Sequence, residues 1–218
     1  MNLGDWLPRL WQASLTTIYM VSVSTLFTIL LGLPLGVMLM LTDERGLAPR
    51  PLLNRILGFV VNLARSFPFI ILLVVIIPFT RAIVGTSIGP TAAIVPLTLA
   101  AVPFFARVVE NSLREVPRGL IEASQSMGSS VWQTVSKVLI PESLPSLIPG
   151  VALTLISLVG YSAMAGAVGG GGLGDLAIRY GYQRYETEVM LVTVILLLIM
   201  VQAVQWLGDR LASQISKK

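Results

Sequence analysis

Few residues in this chain could do chemistry. Histidine and cysteine are both absent from its 218 residues. That excludes disulfides, Cys/His metal sites and Ser-His or Cys-His nucleophile pairs. Four long runs, Leu10–Thr42, Ala82–Ala106, Ser143–Gly174 and Val189–Gly208, hold no Asp, Glu, Lys or Arg over 33, 25, 32 and 20 residues. A proton-coupled carrier needs an ionisable relay inside such runs, and none is present. There is no G-x-x-x-x-G-K-[ST] sequence to hold a nucleotide. Gly169-Gly170-Gly171-Gly172-Leu173-Gly174 spells G-x-G-x-x-G, but a dinucleotide site needs a preceding strand. An apolar span precedes it here, and the segment is expected to be a flexible turn.

The elements that must carry these residues follow from composition. The chain is 55% hydrophobic and 12% charged, with a mean hydropathy of +0.83. A soluble domain carries about 25% charge to hydrate its surface, so this chain belongs in lipid. A hydrocarbon core about 30 Å thick takes about 20 helical residues. The four uncharged runs, together with Ile56–Thr80 interrupted only by Arg65, give five spans. The expected fold is an all-α polytopic membrane protein, with spans near 13–41, 58–80, 86–107, 146–168 and 188–208 and a helical loop near 108–145. The ends of the longer runs are expected to be re-entrant, interfacial or loop residues. The first run is too long for a signal-peptide core of about 7–15 residues, so it is expected to be a retained helix.

Charge orients the bundle. Arg9, Arg81, Arg179 and Arg184 fall on one side. Arg45, Arg50, Arg55, Arg65, Arg107, Arg114, Arg118, Lys137, Arg210, Lys217 and Lys218 fall on the other, which is cytoplasmic by the positive-inside rule. The N-terminus is then outside and the C-terminus inside. The excess of 15 basic over 11 acidic residues serves orientation, not nucleic acid, since no basic cluster is interleaved with aromatics. Arg65 is expected to snorkel to the headgroups from a span that begins before it, the alternative being a role in the pathway. Pro34, Pro68, Pro78, Pro90, Pro96, Pro103 and Pro149 lie in the apolar runs and each tends to kink a helix. Gly32-x-x-x-Gly36 permits close packing within the chain. Gln202 and Gln205 share a helix face, suited to interhelical hydrogen bonds or solvent. Tyr180, Tyr182 and Tyr185, with Arg179 and Arg184, suit a headgroup belt or an external protein contact.

The large loop reads Gly119-Leu120-Ile121-Glu122-Ala123-Ser124-Gln125-Ser126-Met127-Gly128. A short helix after Pro117 can end at Gly128 in a left-handed conformation. A second helix can begin with Ser130 as N-cap and Gln133 completing a capping box, running to Val138-Leu139-Ile140-Pro141. This segment resembles the EAA loop of ABC-importer permeases, E-A-A-x-x-x-G followed after nine residues by I-x-L-P. Glu122, Ala123, Gly128 and Pro141 match, while Ser124, Val138 and Ile140 are mild replacements. The resemblance implies that the short helix docks on an ATP-binding subunit, with residues 123 and 124 small enough for close approach and Glu122 paired with a group on the partner.

Further stretches resemble the methionine-uptake permeases of that family: Arg65-Ser66-Phe67-Pro68-Phe69, Pro78-Phe79-Thr80-Arg81, Val84-Gly85-Thr86-Ser87-Ile88-Gly89 and Leu158-Val159-Gly160-Tyr161-Ser162-Ala163-Met164. The implied assembly is a homodimer with two ABC ATP-binding subunits and an external methionine-binding protein, in the bacterial cytoplasmic membrane. Such a chain has no catalytic site and no cofactor of its own; ATP and Mg lie on the partner ATPase. Ser157, Gly160, Tyr161, Ser162 and Met164 are candidates to line the path, with Met164 either narrowing it or packing between helices. A permease for another small amino acid, an ion-coupled carrier and a channel are the competing functions. A membrane-embedded enzyme lacks residues for acid–base or metal chemistry in its spans.

Overall fold

The computed structural model describes residues 3–215, and among these every regular element is helical. Lys217 and Lys218, counted above for orientation, lie outside the described residues. The elements are α1 (Leu3–Thr42), α2 (Pro51–Arg65), α3 (Phe69–Val75), α4 (Ile77–Val84), α5 (Pro90–Arg114), α6 (Arg118–Ser126), α7 (Val131–Thr134), α8 (Ile140–Gly166), α9 (Gly172–Leu176) and α10 (Thr187–Ile215). Among the described residues four helical stretches are long and apolar enough to cross a membrane, or five if the broken pair α2 and α3 is one span.

Three departures from the expected elements have physical causes. First, α1 is unbroken over 40 residues, about 60 Å at 1.5 Å per residue. The surplus beyond a bilayer is helical, so of the re-entrant, interfacial or loop residues expected at the ends of this run the loop is ruled out, and Pro34 lies inside the helix. Second, the expected single span across Arg65 is a broken pair. Arg65 is the last residue of α2, where a cation suits the negative helix end. Pro68 then caps α3, because it disfavours helix in the preceding residue and has no donor. Third, the loop expected at 108–145 is shorter. Helix α5 continues to Arg114, and α7 runs without interruption into α8 through a wide π turn at Val135–Leu139. The second loop helix therefore does not end at Pro141. In a regular helix the Pro141 ring would press on the Lys137 carbonyl, and the wide turn spaces the backbone there.

The chain divides into two compact units. One takes in residues 3–27, 67–101 and 154–206. Its core joins Met20 and Val21 of α1, Phe69 and Leu73 of α3, Leu97 and Ala101 of α5, and Leu158, Val159 and Ala165 of α8. A second cluster seats Leu173 and Leu176 of α9 against Leu10 and Ala13 of α1. The glycine segment is correspondingly packed, in place of the flexible turn expected. A Cβ on Gly172 would lie 2.6 Å from Thr17 Oγ1, and one on Gly174 would lie 2.4 Å from the Ala163 carbonyl oxygen. The Leu173 N–H donates to Thr17 Oγ1 at 2.9 Å.

The other unit takes in 28–66, 102–153 and 207–215. Phe105, Val109 and Leu113 of α5 pack with Val37 of α1, Val135, Leu139 and Leu147. Here Gly32 and Gly36 let α1 approach α5. A Cβ on Gly36 would stand 2.5 Å from the Ala106 carbonyl oxygen and from Val109 Cβ. The G-x-x-x-G pair thus serves packing within the chain, as expected.

Candidate functional site

The loop between α5 and α8 is built from local signals. Helix α6 starts after Pro117, whose extended backbone suits an N-cap. It ends where the Gly128 N–H donates to the Gln125 carbonyl at 2.9 Å. Gly128 has φ +79°, a conformation that costs an L side chain about 1–2 kcal/mol. Ser130 then opens α7 with a complete capping box. Its backbone N–H donates to Gln133 Oε1 at 2.8 Å, and the Gln133 N–H donates to Ser130 Oγ at 3.3 Å.

This fold sorts the EAA-like residues into two sets. Glu122 and Ala123 are exposed on α6. Ser124 is buried, its hydroxyl 3.2 Å from that of fully buried Thr134. Ser124 therefore pins α6 to α7, and only Ala123 of the small pair faces outward. Val138 and Ile140 are half-buried and Pro141 is exposed, with buried Leu139 between them. Glu122 and Gln125 also line a groove of about 390 Å³ with Asp43, Arg45, Arg114 and Arg118.

Two residues at this turn were missed by the sequence argument. Met127 is 87% exposed and Trp132 is 72% exposed. They flank Gly128, beside exposed Glu122, Ala123, Gln125 and Ser126. Exposed aromatic and thioether side chains at a sharp turn are typical anchors of a protein contact. Their signal in the sequence was their position beside the turn glycine and the N-cap, outside any apolar run.

On α8 the five pathway candidates separate by helical phase. Ser157, Gly160 and Met164 follow at intervals of three and four and share a face. Gly160 is exposed with nothing within 4 Å of a built Cβ, and Met164 is 46% exposed. Tyr161 instead stacks on Phe69, centroids 4.7 Å apart at 15°. Ser162 is buried and donates to the Val159 carbonyl at 2.7 Å. The structure thus does not bring the five onto one surface.

The outer tyrosines also divide. Tyr180 packs edge-on against Trp6 at 5.0 Å, with the guanidinium of Arg184 4.6 Å from its ring centre and that of Arg9 5.8 Å away. Tyr182 and Tyr185 are exposed. Tyr185 holds a left-handed φ of +58°, a strained state for a residue with a side chain.

The family of binding-protein-dependent transport system inner membrane components matches residues 29–217. A probable D-methionine transport system permease protein MetI of Vibrio cholerae is 53% identical over all of this chain and 95% of its own length. The methionine import system permease protein MetP of Bacillus subtilis is 44% identical over 97% of this chain and 96% of its own. Among solved structures, an inward-facing conformation of the MetNI methionine ABC transporter superposes with a TM-score of 0.95 at 50% identity, covering 97% of this chain and 98% of that one. An amino acid ABC transporter with histidines shares the fold, with a TM-score of 0.78 at 16% identity over 98% and 97%. The chain belongs to the binding-protein-dependent transport system inner membrane components, and within them to the methionine permeases of ABC importers.

Proposed function

We propose that this chain forms the translocation path of a methionine importer driven by ATP. It works as a homodimer with two ATP-binding subunits and an external binding protein, in the bacterial cytoplasmic membrane. Its N-terminus is outside, as the sides of the arginines suggest, and its C-terminus is in the cytoplasm. ATP and Mg bind on the partner ATPase, and this chain's work is mechanical.

The observation that carries the proposal is the helix–turn–helix at 118–134, in which Glu122, Ala123, Met127 and Trp132 are exposed around one fixed turn. Closure of the ATP-binding subunits moves α6, and the rigid turn passes that motion to α7 and so into α8, with which it is continuous. In this scheme Glu122 and Ala123 contact the ATPase, joined by Met127 and Trp132. Ser124, Gly128, Val138, Ile140 and Pro141 hold the loop's shape. On α8, Ser157, Gly160 and Met164 face the path, while Tyr161 and Ser162 support that face from behind.

The test is labelled methionine uptake by cells that lack their own system and express this chain with its cognate ATPase and binding protein. Uptake is expected to be competed by unlabelled methionine, with the D and L forms assayed separately, and to fall more than about tenfold in Glu122→Arg. Uptake competed by another solute alone would discard methionine and retain the permease. Uptake that persists without the ATPase would overturn the mechanism.

A further inference from the structure

One buried charge has no part in the scheme above. Glu110 lies on α5, its side chain only 4% exposed, and each of its oxygens accepts from a different guanidinium. Arg107 Nη1 stands 2.6 Å from Oε2 and Arg114 Nη2 stands 2.7 Å from Oε1. The spacing Arg107-x-x-Glu110-x-x-x-Arg114 puts all three on one helix face.

The two arginines reach out of α5 in different directions. Arg107 Nη2 donates to the Gly58 carbonyl at 3.2 Å and to Asn62 Oδ1 at 3.1 Å, both on α2. Arg114 Nη2 also pairs with Asp43, the first residue after α1. Asn54 of α2 closes the circuit, donating through Nδ2 to the Leu39 carbonyl at 2.6 Å and to Thr42 Oγ1 at 3.1 Å at the end of α1. Three helices are thus joined in a ring of directional bonds, and Glu110 is the only member that holds both arginines. Arg114 is also the last residue of α5, with three residues between it and the start of α6, so the ring sits at the stem of the coupling loop.

Apolar packing alone lets helices slide, because dispersion contacts have little direction. Buried charge-assisted bonds fix register and angle, and removing one partner strands the others. We propose that Glu110 is a positioning residue for coupling: it makes the ends of α1, α2 and α5 one body with the loop stem. Displacement of the loop is then delivered to the helices and not absorbed at the stem. This role rests on the coupling function of the loop given above.

The experiment uses the assembled complex with its ATPase in proteoliposomes, with binding protein inside or outside as orientation requires. Methionine uptake and phosphate release are measured together. In Glu110→Gln, uptake per phosphate released is expected to fall about tenfold, a size common for coupling between sites. Glu110→Asp keeps the charge and is expected to recover part of the ratio. A Glu110→Gln complex that assembles with a wild-type ratio overturns the proposal, because a merely structural group would alter yield and not the ratio. Should Glu110→Gln fail to assemble, Asp43→Asn decides: it removes only the partly exposed outer arm. A ratio lowered about threefold supports the role and an unchanged ratio overturns it. A wild-type complex that hydrolyses ATP without moving methionine would fail differently, overturning the importer function and this role with it.

Discussion

The loop between α5 and α8 and the middle of α8 both present a run of small and polar residues, yet the two were legible to different degrees. From Pro117 to Gln133 each residue that shapes the loop acts on its own neighbourhood. Pro117 starts a helix, Gly128 turns it at positive φ, and Ser130 with Gln133 starts the next. From Ser157 to Met164 the backbone is one regular helix, and nothing local distinguishes one position from the next. Which side chains face inward is set there by Phe69, Val159 and the rest of the core. Local chemistry writes a turn, while only packing writes a face.

The glycines offer the largest test of that difference. Gly174 is fixed by its neighbours, with the backbone of Ala163 where a side chain would go. Gly174→Val should destabilise the protein by about 3 kcal/mol or more, the upper range for overpacking against atoms that cannot move. Denaturant titration in detergent micelles would read it, and a loss below about 1 kcal/mol would mean that α9 yields. On α8, Tyr161→Ala removes a stacked ring from a core position and should cost about 2 kcal/mol. Met164→Ala should stay within about 0.5 kcal/mol of wild type in the same titration, while lowering uptake in cells. Equal stability losses for the two would erase the distinction between the inward and outward faces.

The loop should respond more mildly. Gly128 has open space around it, so Gly128→Ala meets only the cost of positive φ, about 1–2 kcal/mol, and its folded complex should still bind the ATPase. Within the loop the smaller effect is Ser124→Ala, which leaves the Thr134 hydroxyl without its partner on α6 and should cost about 1 kcal/mol. If Ser124→Ala instead abolished ATPase binding with stability intact, Ser124 would belong to the docking surface and not to the pin behind it.

The places where the sequence misled share a cause. Arg65 invited the idea of one continuous helix passing through it, but Pro68 three residues later breaks that helix and makes Arg65 a terminus. Pro141 invited a helix end, but a wide turn before it lets the helix pass. In each case two rules competed, span length against proline at 68 and proline against helix continuity at 141, and backbone geometry selected the winner. Met127 and Trp132 carried a signal only through their place beside the turn glycine and the N-cap, since periodicity says nothing about two isolated apolar residues. Their exposure at the turn is what marks them.

Composition and local order by themselves determined that this is a helical membrane protein, that four of its apolar runs hold no Asp, Glu, Lys or Arg, and that one loop folds as helix, turn and helix. These follow because lipid demands uncharged helices about 20 residues long and because caps and left-handed glycines act within a few residues of themselves. The tertiary structure alone decided that Ser124 faces Thr134, that Tyr161 stacks on Phe69, that the glycine segment is packed on Thr17, and that Glu110 gathers two arginines. Each of those pairings joins residues whose meeting depends on where whole helices lie, or selects among near-equivalent positions on one helix. Propensity and periodicity carry no information about that choice until the core has closed around it.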